Sequence, residues 1–300
     1  MFKFIIGLFL KNTISLCYDW GMISEISWLG GMAWLVLLFI FGAILGSFAC
    51  CQVWRMRYLE TGRGKLGPRS VCLACGERLK WFDNIPIVSW LLLRGKCRKC
   101  GEKIGWTEFW SEIGLAVLFV LIGCYFRPWQ GEALKILLMI VMLVSVVVMW
   151  MILIYDAKWQ EIPVVCLVLV NSLALVFWGT REAIKLAVWG ENGWWEVMRP
   201  DLWNTLISVG VLAGIYLVLY KVSKEKWVGG GDWILGLAIG LMLGNWWMAL
   251  LTLFLANLLA LGFMLPDLIS RQKKMIALGP FLVIGFLISF LLQDILLALI

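Results

Sequence analysis

Two aspartates are the residues of this 300-residue chain that point most directly to chemistry. Asp232 follows three consecutive glycines, residues 229–231, and opens a short apolar run that begins at Trp233. Asp156 stands at the end of a longer apolar run. A carboxylate beside a membrane-spanning run is costly to bury, so each is a candidate functional residue. The glycines would let another chain approach closely.

The two aspartates can be interpreted singly or as a pair. Singly, each is an ordinary boundary carboxylate near lysines. Together, on one membrane face and flanked by helix-breaking residues, Asp156 and Asp232 resemble an aspartyl-protease dyad. Two carboxyl groups held close at low dielectric constant share a proton, because they do not both ionise easily. One can then activate a water molecule while the other polarises a carbonyl group. Asp267 and Asp294 are the alternative partners within the chain.

Four cysteines form a second constellation, in two Cys-x-x-Cys pairs: Cys72, Cys75, Cys97 and Cys100. A glycine, Gly76 or Gly101, follows each pair. Four thiolates at such spacing can close a tetrahedral Zn²⁺ site, and a metal would hold this polar segment in shape. The sequence therefore predicts a structural zinc ribbon, with redox-active or unliganded thiols as the alternative. The other five are interpreted as packing residues: Cys17, Cys50, Cys51, Cys124 and Cys166.

The composition identifies the class of protein that must position these residues. Apolar types make up 62% of the chain and charged types 15%. Several apolar runs approach the roughly 20 residues that cross a bilayer. The sequence contains no histidine, which excludes catalysis or metal binding by that residue.

We predict an all-α polytopic membrane protein with about eight transmembrane helices. Its parts are an N-terminal extension (1–30), a first transmembrane helix (31–53), a cytoplasmic zinc-ribbon loop (54–108) and a seven-helix membrane aspartyl protease domain (109–300). The predicted spans cover residues 32–53, 109–126, 134–155, 163–178, 202–220, 233–243, 246–265 and 278–299. A polar loop is expected between the fourth and fifth spans, at residues 179–201.

The distribution of charge predicts the orientation in the membrane. Loops on the ribbon side hold 19 Lys and Arg residues, and the two longer loops on the other side hold 5. Because basic loops remain cytoplasmic, the ribbon and both aspartates are placed on the cytoplasmic face. The net charge of +7 is thus interpreted as topology and not as nucleic-acid binding. The Gly-x-Gly-x-x-Gly at residues 62–67 is interpreted as a flexible linker, since no strand precedes it.

From about Gly42 to Gly285, the chain resembles the bacterial type IV prepilin leader peptidases, which are also N-methyltransferases. The motifs that carry the resemblance are Gly46-Ser47-Phe48, Arg69-Ser70-Val71-Cys72, Trp81-Phe82-Asp83-Asn84-Ile85-Pro86, Ser89-Trp90-Leu91, Leu93-Arg94-Gly95-Lys96-Cys97-Arg98-Lys99-Cys100-Gly101, Asp156, Ile162-Pro163, Gly229-Gly230-Gly231-Asp232 and Gly279-Pro280-Phe281-Leu282.

The resemblance implies a membrane aspartyl endopeptidase, similar to the GxGD proteases, with Asp156 and Asp232 as catalytic residues. It implies cleavage of the basic leader of prepilin-like precursors at the cytoplasmic face of the inner membrane. Methylation of the new N-terminal residue, with S-adenosylmethionine as the donor, would follow. Glu112 matches a glutamate that the family carries at the start of its second span. The segment around Asp83 and Asn84 is the expected place for methyl transfer or pilin docking.

The chain departs from the family pattern at three positions. Ile234 stands where the family usually has lysine, Lys158 where many members have a second acid, and Leu73 where proline is frequent. Three other functions compete with the bifunctional enzyme. They are a peptidase without methyl transfer, a non-enzymatic scaffold that docks partners through the ribbon, and a transporter. No inverted repeat is evident, and both acids lie at one face, which disfavours a transporter.

Overall fold

A computed structural model describes residues 25–62, 70–128, 133–189, 194–224, 228–269 and 277–297. The α-helices in these ranges are α1 Glu25–Glu60, α2 Val88–Leu92, α3 Trp106–Phe126, α4 Ala133–Trp159, α5 Val164–Trp189, α6 Trp194–Val209, α7 Ile215–Ser223, α8 Gly230–Leu243, α9 Trp246–Ile269 and α10 Gly279–Leu297. A 3₁₀ turn covers Trp81–Asn84, and a π-helical segment, Gly210–Gly214, joins α6 to α7. Only two isolated β-bridges occur within the described ranges. The predicted all-α polytopic class is confirmed.

Seven helical segments are long and apolar enough to cross a bilayer: Gly30–Glu60, Trp106–Phe126, Ala133–Trp159, Val164–Ala187, Met198–Ser223, Trp246–Leu265 and Gly279–Leu296. The shorter apolar helix α8, with 14 residues, is the predicted short sixth span. The described part of the chain therefore supplies the expected set of apolar helices.

The helices extend beyond the predicted spans at several ends. α1 runs to Glu60 and not to residue 53, and α4 continues through Asp156 to Trp159. The predicted polar loop at 179–201 is wrong for most of its length, because α5 reaches Trp189 and α6 begins at Trp194. Hydropathy marks the part of a helix that lies in lipid, whereas good helix formers with polar side chains carry the same helix into water.

The described residues form two compact units, which combine segments distant in sequence. The first unit takes its residues from Met1–Phe48 and Gly67–Met139, and the second from Ala49–Leu66 and Ile140–Ile300. α3 and the ribbon thus belong to the first unit. Both candidate aspartates belong to the second.

Glycines permit close helix packing in the first unit. Gly42 and Gly46 lie one turn apart on α1, and both face α3. A Cβ atom at Gly42 would lie 2.6 Å from the Cα of Ala116, and one at Gly46 would lie 2.5 Å from the Ser111 carbonyl oxygen. The Ser111 hydroxyl donates a hydrogen bond to the Gly46 carbonyl at 2.9 Å. Small residues four apart give such close approach in membranes.

Glycines also permit close packing of α8, which lies at the centre of the second unit. This helix packs against α5, α6, the π-helical segment, α7, α9 and α10. A Cβ atom at Gly240 would lie 2.8 Å from the Cα of Val209, and one at Gly236 would lie 3.1 Å from Leu212 backbone atoms. The Arg181 guanidinium donates to the carbonyl oxygens of Met242 and Leu243, at 3.1 and 3.2 Å. These contacts satisfy carbonyl groups at the helix C-terminus and fix the helix that carries Asp232.

Candidate active site and metal centre

Asp232 lies in the first turn of α8, whose start differs from the prediction. The helix begins at Gly230 and not at Trp233, so two of the three glycines are helical. The Gly229 N–H donates to the Asp232 carboxylate at 2.9 Å. A carboxylate near a helix N-terminus accepts such a bond readily and also complements the helix dipole. Asp232 is 5% exposed.

Asp156 lies in the last turn of α4 and is 4% exposed. Its Oδ2 atom accepts a hydrogen bond from the Gly279 N–H, the first residue of α10, at 3.0 Å. Each buried aspartate is therefore held by one backbone N–H that a glycine donates at the start of a helix.

The structure brings Asp156 and Asp232 close enough for the charge of one carboxylate to act on the other. Ile162 lies between the elements that carry them. A Cβ atom at Gly231 would lie 3.0 Å from the Ile162 Cβ, and one at Gly279 would lie 3.5 Å from the Ile162 Cδ1. The Ile162 side chain thus spaces the beginning of α8 from the beginning of α10.

The glycines around the pair contribute more through close packing than through backbone flexibility. A Cβ atom at Gly279 would lie 2.6 Å from Asp156 Oδ2, and one at Gly229 would lie 3.3 Å from Asp232 Oδ2. Larger side chains would fill the space beside both carboxylates. Two enclosed carboxyl groups that lie close enough for the charge of one to act on the other can divide the roles of general base and general acid.

Tyr216 is a neighbour of Asp232 that the sequence did not reveal, and Asn257 contacts Tyr216 in turn. The Tyr216 side chain is 1% exposed, and its hydroxyl group is close enough to Asp232 to respond to its charge. Asn257 Nδ2 donates a long hydrogen bond to that hydroxyl oxygen, at 3.5 Å. The available signals were a tyrosine and an amide inside apolar runs, where buried polar groups need partners.

A polar cluster surrounds Tyr155, the residue before Asp156. The Tyr155 hydroxyl donates to Glu60 and lies 3.4 Å from Arg57 Nη1. Arg57 also donates to Glu161 at 2.8 Å and lies 5.2 Å above the centre of the Trp159 ring. The cluster ties the C-terminal end of α1 to the segment that follows Asp156, and it depends on the extension of α1 that the hydropathy pattern missed.

The alternative acids are separated from the pair or lie outside the described side chains. Asp294 is exposed on α10, 15 residues after Gly279, which corresponds to about 22 Å of helix. The side chain of Asp267 is outside the described set.

Two of the residues that depart from the family pattern have defined contacts. The Lys158 Nζ lies 4.5 Å above the Trp54 ring. The Ile234 carbonyl accepts a hydrogen bond from Asn171.

The four predicted cysteine ligands form one cluster. Their sulfur atoms all lie within 4.8 Å of one another, and the Sγ atoms of Cys72 and Cys100 are 3.9 Å apart. Around a tetrahedral Zn²⁺ with Zn–S bonds of about 2.3 Å, sulfur atoms lie about 3.8 Å apart. The cluster can hold a metal ion, and the separation of the Cys72 and Cys100 sulfur atoms matches that expected around zinc.

The backbone repeats the same turn at both halves of the metal centre. The Gly76 N–H donates to the Cys72 carbonyl at 2.8 Å, and the Gly101 N–H donates to the Cys97 carbonyl at 3.0 Å. Both glycines have positive φ, 69° and 72°, which explains why glycine follows each pair. Hydrogen bonds from the backbone of Cys100 and Lys99 lower the pKa of the Cys97 thiol to about 7, favouring the thiolate that binds metal.

Charged pairs brace the ribbon around this centre. Arg98 binds the Asp83 carboxylate at 2.8 Å, and its guanidinium lies 5.1 Å above the centre of the Phe82 ring. Lys99 pairs with Glu77, and this lysine lowers the pKa of the Glu77 carboxyl. The Asp83 side chain, part of the long motif, therefore joins the 3₁₀ turn to the second cysteine pair.

Glu112 is buried in α3 and contacts the ribbon. Its Oε2 atom accepts the Ile87 N–H at 2.6 Å, and Ser47 is a further hydrogen-bond partner. Ile87 has φ 64° and ψ −54°, which is rare for a β-branched residue. The glutamate thus holds the backbone just before α2 in a strained conformation.

Fold and site define the class as a multi-pass helical membrane protein that carries a four-cysteine cluster able to hold a metal and a buried aspartate pair. Residues 40–126 match the family model for the Bacterial Peptidase A24 N-terminal domain. That match covers the ribbon and its flanking helices.

The chain is also similar, over most of its length, to proteins named prepilin leader peptidase/N-methyltransferase. It is 25% identical over 262 residues to the one from Vibrio cholerae, covering 86% of this chain and 96% of that protein. The one from Stutzerimonas stutzeri is 24% identical, with 88% and 92% covered. The one from Myxococcus xanthus is 29% identical, with 75% and 60% covered. The resemblance drawn from the motifs is confirmed. No solved structure matches the chain.

Proposed function

We propose that this protein is a membrane aspartyl endopeptidase that removes the basic leader of prepilin-like precursors at the cytoplasmic face of the inner membrane. The observation that carries the proposal is the pair of buried carboxylates, Asp156 and Asp232, which lie close enough for the charge of Asp232 to act on Asp156. The names of the relatives support the choice of substrate.

The pair supplies the two proton-transfer roles that peptide hydrolysis needs. The ionised carboxylate takes a proton from water, whose oxygen attacks the scissile carbonyl carbon, while the protonated carboxyl donates a hydrogen bond to the carbonyl oxygen. Collapse of the tetrahedral intermediate breaks the C–N bond, and the amine leaves with the proton taken from water. The N–H groups of Gly229 and Gly279 orient the two carboxylates throughout.

The test is cleavage of a co-expressed prepilin by Asp156→Asn and Asp232→Asn variants. An amide cannot take a proton from water, so each variant should lose at least about 10²-fold in cleavage rate. Asp294→Asn, on the exposed part of α10, is the matched control and should cleave normally. Normal cleavage by either pair variant at wild-type expression would refute the assignment.

We also propose that the enzyme methylates the new N-terminal residue of the cleaved pilin. The names of the relatives support this second activity, and S-adenosylmethionine would supply the methyl group as an electrophile. Mass spectrometry of the processed pilin reports both activities, since the fragment mass gives the cleavage position and an added methyl group gives the transfer. A correctly cleaved pilin without the methyl group would show that the protein is a peptidase without methyltransferase activity.

The metal in the four-cysteine centre is proposed to be zinc with a structural role. Four thiolates leave no open coordination position for a reacting water, so a closed centre of this kind shapes the ribbon and takes no part in hydrolysis. The symmetric turns after Cys72 and Cys97 support that proposal.

A further inference from the structure

The ribbon presents an apolar surface that neither peptide cleavage nor metal binding uses. Val88, Leu91 and Leu92 are exposed on α2, and Trp81 is exposed nearby in sequence. The three α2 residues are spaced i, i+3 and i+4 and so share one face of that helix. Leu92 is 77% exposed and Trp81 is 79% exposed, unusually high for such side chains. The 3₁₀ turn that carries Trp81 packs against α2, so we define the ribbon apolar face as Trp81, Val88, Leu91 and Leu92.

Three contacts fix the depth of this face relative to α3. The Trp90 ring stacks on Phe109, with centroids 4.4 Å apart, and lies 4.7 Å from the Trp106 ring. The Ile87 N–H is bonded to Glu112. Trp106, Phe109 and Glu112 belong to the first two turns of α3, which extend about 10 Å along its axis. Because α3 crosses the membrane, α2 lies at the level where that helix enters it.

The surroundings have the chemistry of a membrane interface. Trp106 and Trp110 are also exposed at the beginning of α3, and tryptophan favours the boundary between lipid tails and headgroups. Residues 70–105 hold seven Lys and Arg residues against three Asp and Glu residues, so anionic headgroups would be attracted. Apolar side chains beside basic ones are the pattern of segments that lie in the interface.

We infer that the ribbon apolar face inserts into the interfacial layer of the lipid bilayer, on the side where α3 begins, and holds the metal centre against the membrane. The inference needs α3 to span the membrane and does not depend on the peptidase function. It assigns lipid, and not a protein partner, as the occupant of this surface.

The test places a photo-crosslinking residue at single sites of the full-length protein in vesicles of phosphatidylcholine and phosphatidylglycerol. The variants are Leu92→benzoylphenylalanine and Trp81→benzoylphenylalanine, each at an exposed position that tolerates a large ring. Glu102→benzoylphenylalanine, exposed elsewhere on the ribbon, is the matched control. Val117→benzoylphenylalanine, exposed within the span of α3, shows that lipid adducts form and are detected.

Lipid adducts at positions 92 and 81, with none at position 102, are expected after illumination. A lack of adducts at 92 and 81 while position 117 reacts would overturn the inference. So would adducts at these positions to a second copy of the chain, or to an added prepilin that replaces the lipid adducts. Peptidase activity is read separately, so failure of the proposed function and failure of this inference are distinguishable.

Discussion

At the scale of single residues, the site depends on two N–H groups and on the absence of side chains next to them. Gly279 donates to Asp156, and Gly229 donates to Asp232. A methyl group at Gly279 would overlap the carboxylate that this residue holds, since its Cβ would lie 2.6 Å from Asp156 Oδ2. Position 279 therefore links the start of α10 directly to the proposed catalytic carboxylate of Asp156.

We predict that Gly279→Ala leaves the protein folded but reduces prepilin cleavage by about 10²-fold, because a displacement of about 1 Å in a catalytic group has such an effect. The measurement is the initial cleavage rate in membranes, normalised to the amount of enzyme. Gly262→Ala is the matched control, since nothing lies within 4 Å of a Cβ at that helical position. Equal rates for the two variants would contradict the role of Gly279.

The sequence could identify the acids but not all their surroundings. Charged residues at the ends of apolar runs are conspicuous, so Asp156 and Asp232 could be proposed from hydropathy, residue type and the family resemblance, with Asp267 and Asp294 as alternatives. Tyr216 and Asn257 could not, because uncharged polar residues inside an apolar run give no sign of which neighbours they face. Ile162 and Gly279 were noticed only as parts of motifs, and their contacts depend on tertiary packing.

At the scale of elements, α8 is the helix on which the others converge. The π-helical segment packs on it through Gly236, and the end of α6 packs on it through Gly240. The Ser208 hydroxyl donates to the Gly240 carbonyl at 2.9 Å. Since π-helical turns often occur at functional sites, the turn before Tyr216 fits a residue that must face Asp232.

We predict that Gly240→Ala destabilises the second unit, because its Cβ would lie 2.8 Å from the backbone of Val209. Overpacking of this kind costs about 1–3 kcal/mol, which corresponds to a decrease in Tm on the order of 5 °C. Thermal unfolding in detergent measures it. Gly179→Ala, on α5 with open space around the new methyl group, should unfold like the wild type. A Gly240→Ala variant with unchanged Tm would contradict the prediction, because it would show that α6 and α8 can move apart around the methyl group without a loss of stability.

The ribbon is an element whose stability should depend on its metal. We predict about one zinc ion per purified chain, lost in Cys75→Ser, because three thiolates bind the ion much less tightly than four. Metal analysis measures the content, and hydrogen exchange of residues 70–105 should increase in the variant. Cys51→Ser, on α1 outside the cluster, should keep the metal. Wild-type protein that lacks zinc but cleaves normally would refute the structural role.

The sequence predicted the number and type of these elements better than their ends. Hydropathy identified the apolar part of each transmembrane helix. α1, α4 and α5 continue beyond that part, because the polar residues that follow favour helix as strongly as the apolar residues do. The beginning of α8 was misplaced because consecutive glycines are weak helix formers. In the structure the Gly229 N–H and the Asp232 carboxylate form a cap there, and a Cβ atom at 230 or 231 would lie 3.3 Å from the Tyr220 ring or 3.0 Å from the Ile162 side chain.

At the scale of the molecule, the shortness of α8 bears on where cleavage occurs. Its 14 residues extend about 21 Å, against about 30 Å for the hydrocarbon core. A helix of this length cannot reach both surfaces, so an end of α8 lies within the core. If its C-terminal end reaches the outer surface, Asp232 is recessed several ångströms below the cytoplasmic one, and a substrate must enter the membrane layer to meet it.

The last prediction concerns the orientation that this geometry requires. The segments predicted to lie on the side of the ribbon hold 19 Lys and Arg residues, against 5 in residues 127–135 and 179–201, which are predicted to lie on the opposite side. Alkaline phosphatase, which is active only outside the cytoplasm, should therefore be inactive when fused after Gly105 or Gln160 and active when fused after Arg127 or Gly244. A cytoplasmic fluorescent protein at the same four positions is the control and should give the opposite pattern. The reversed result would place both aspartates outside, where a leader that stays in the cytoplasm could not reach them, and would refute cleavage at the cytoplasmic face even if the pair proved catalytic.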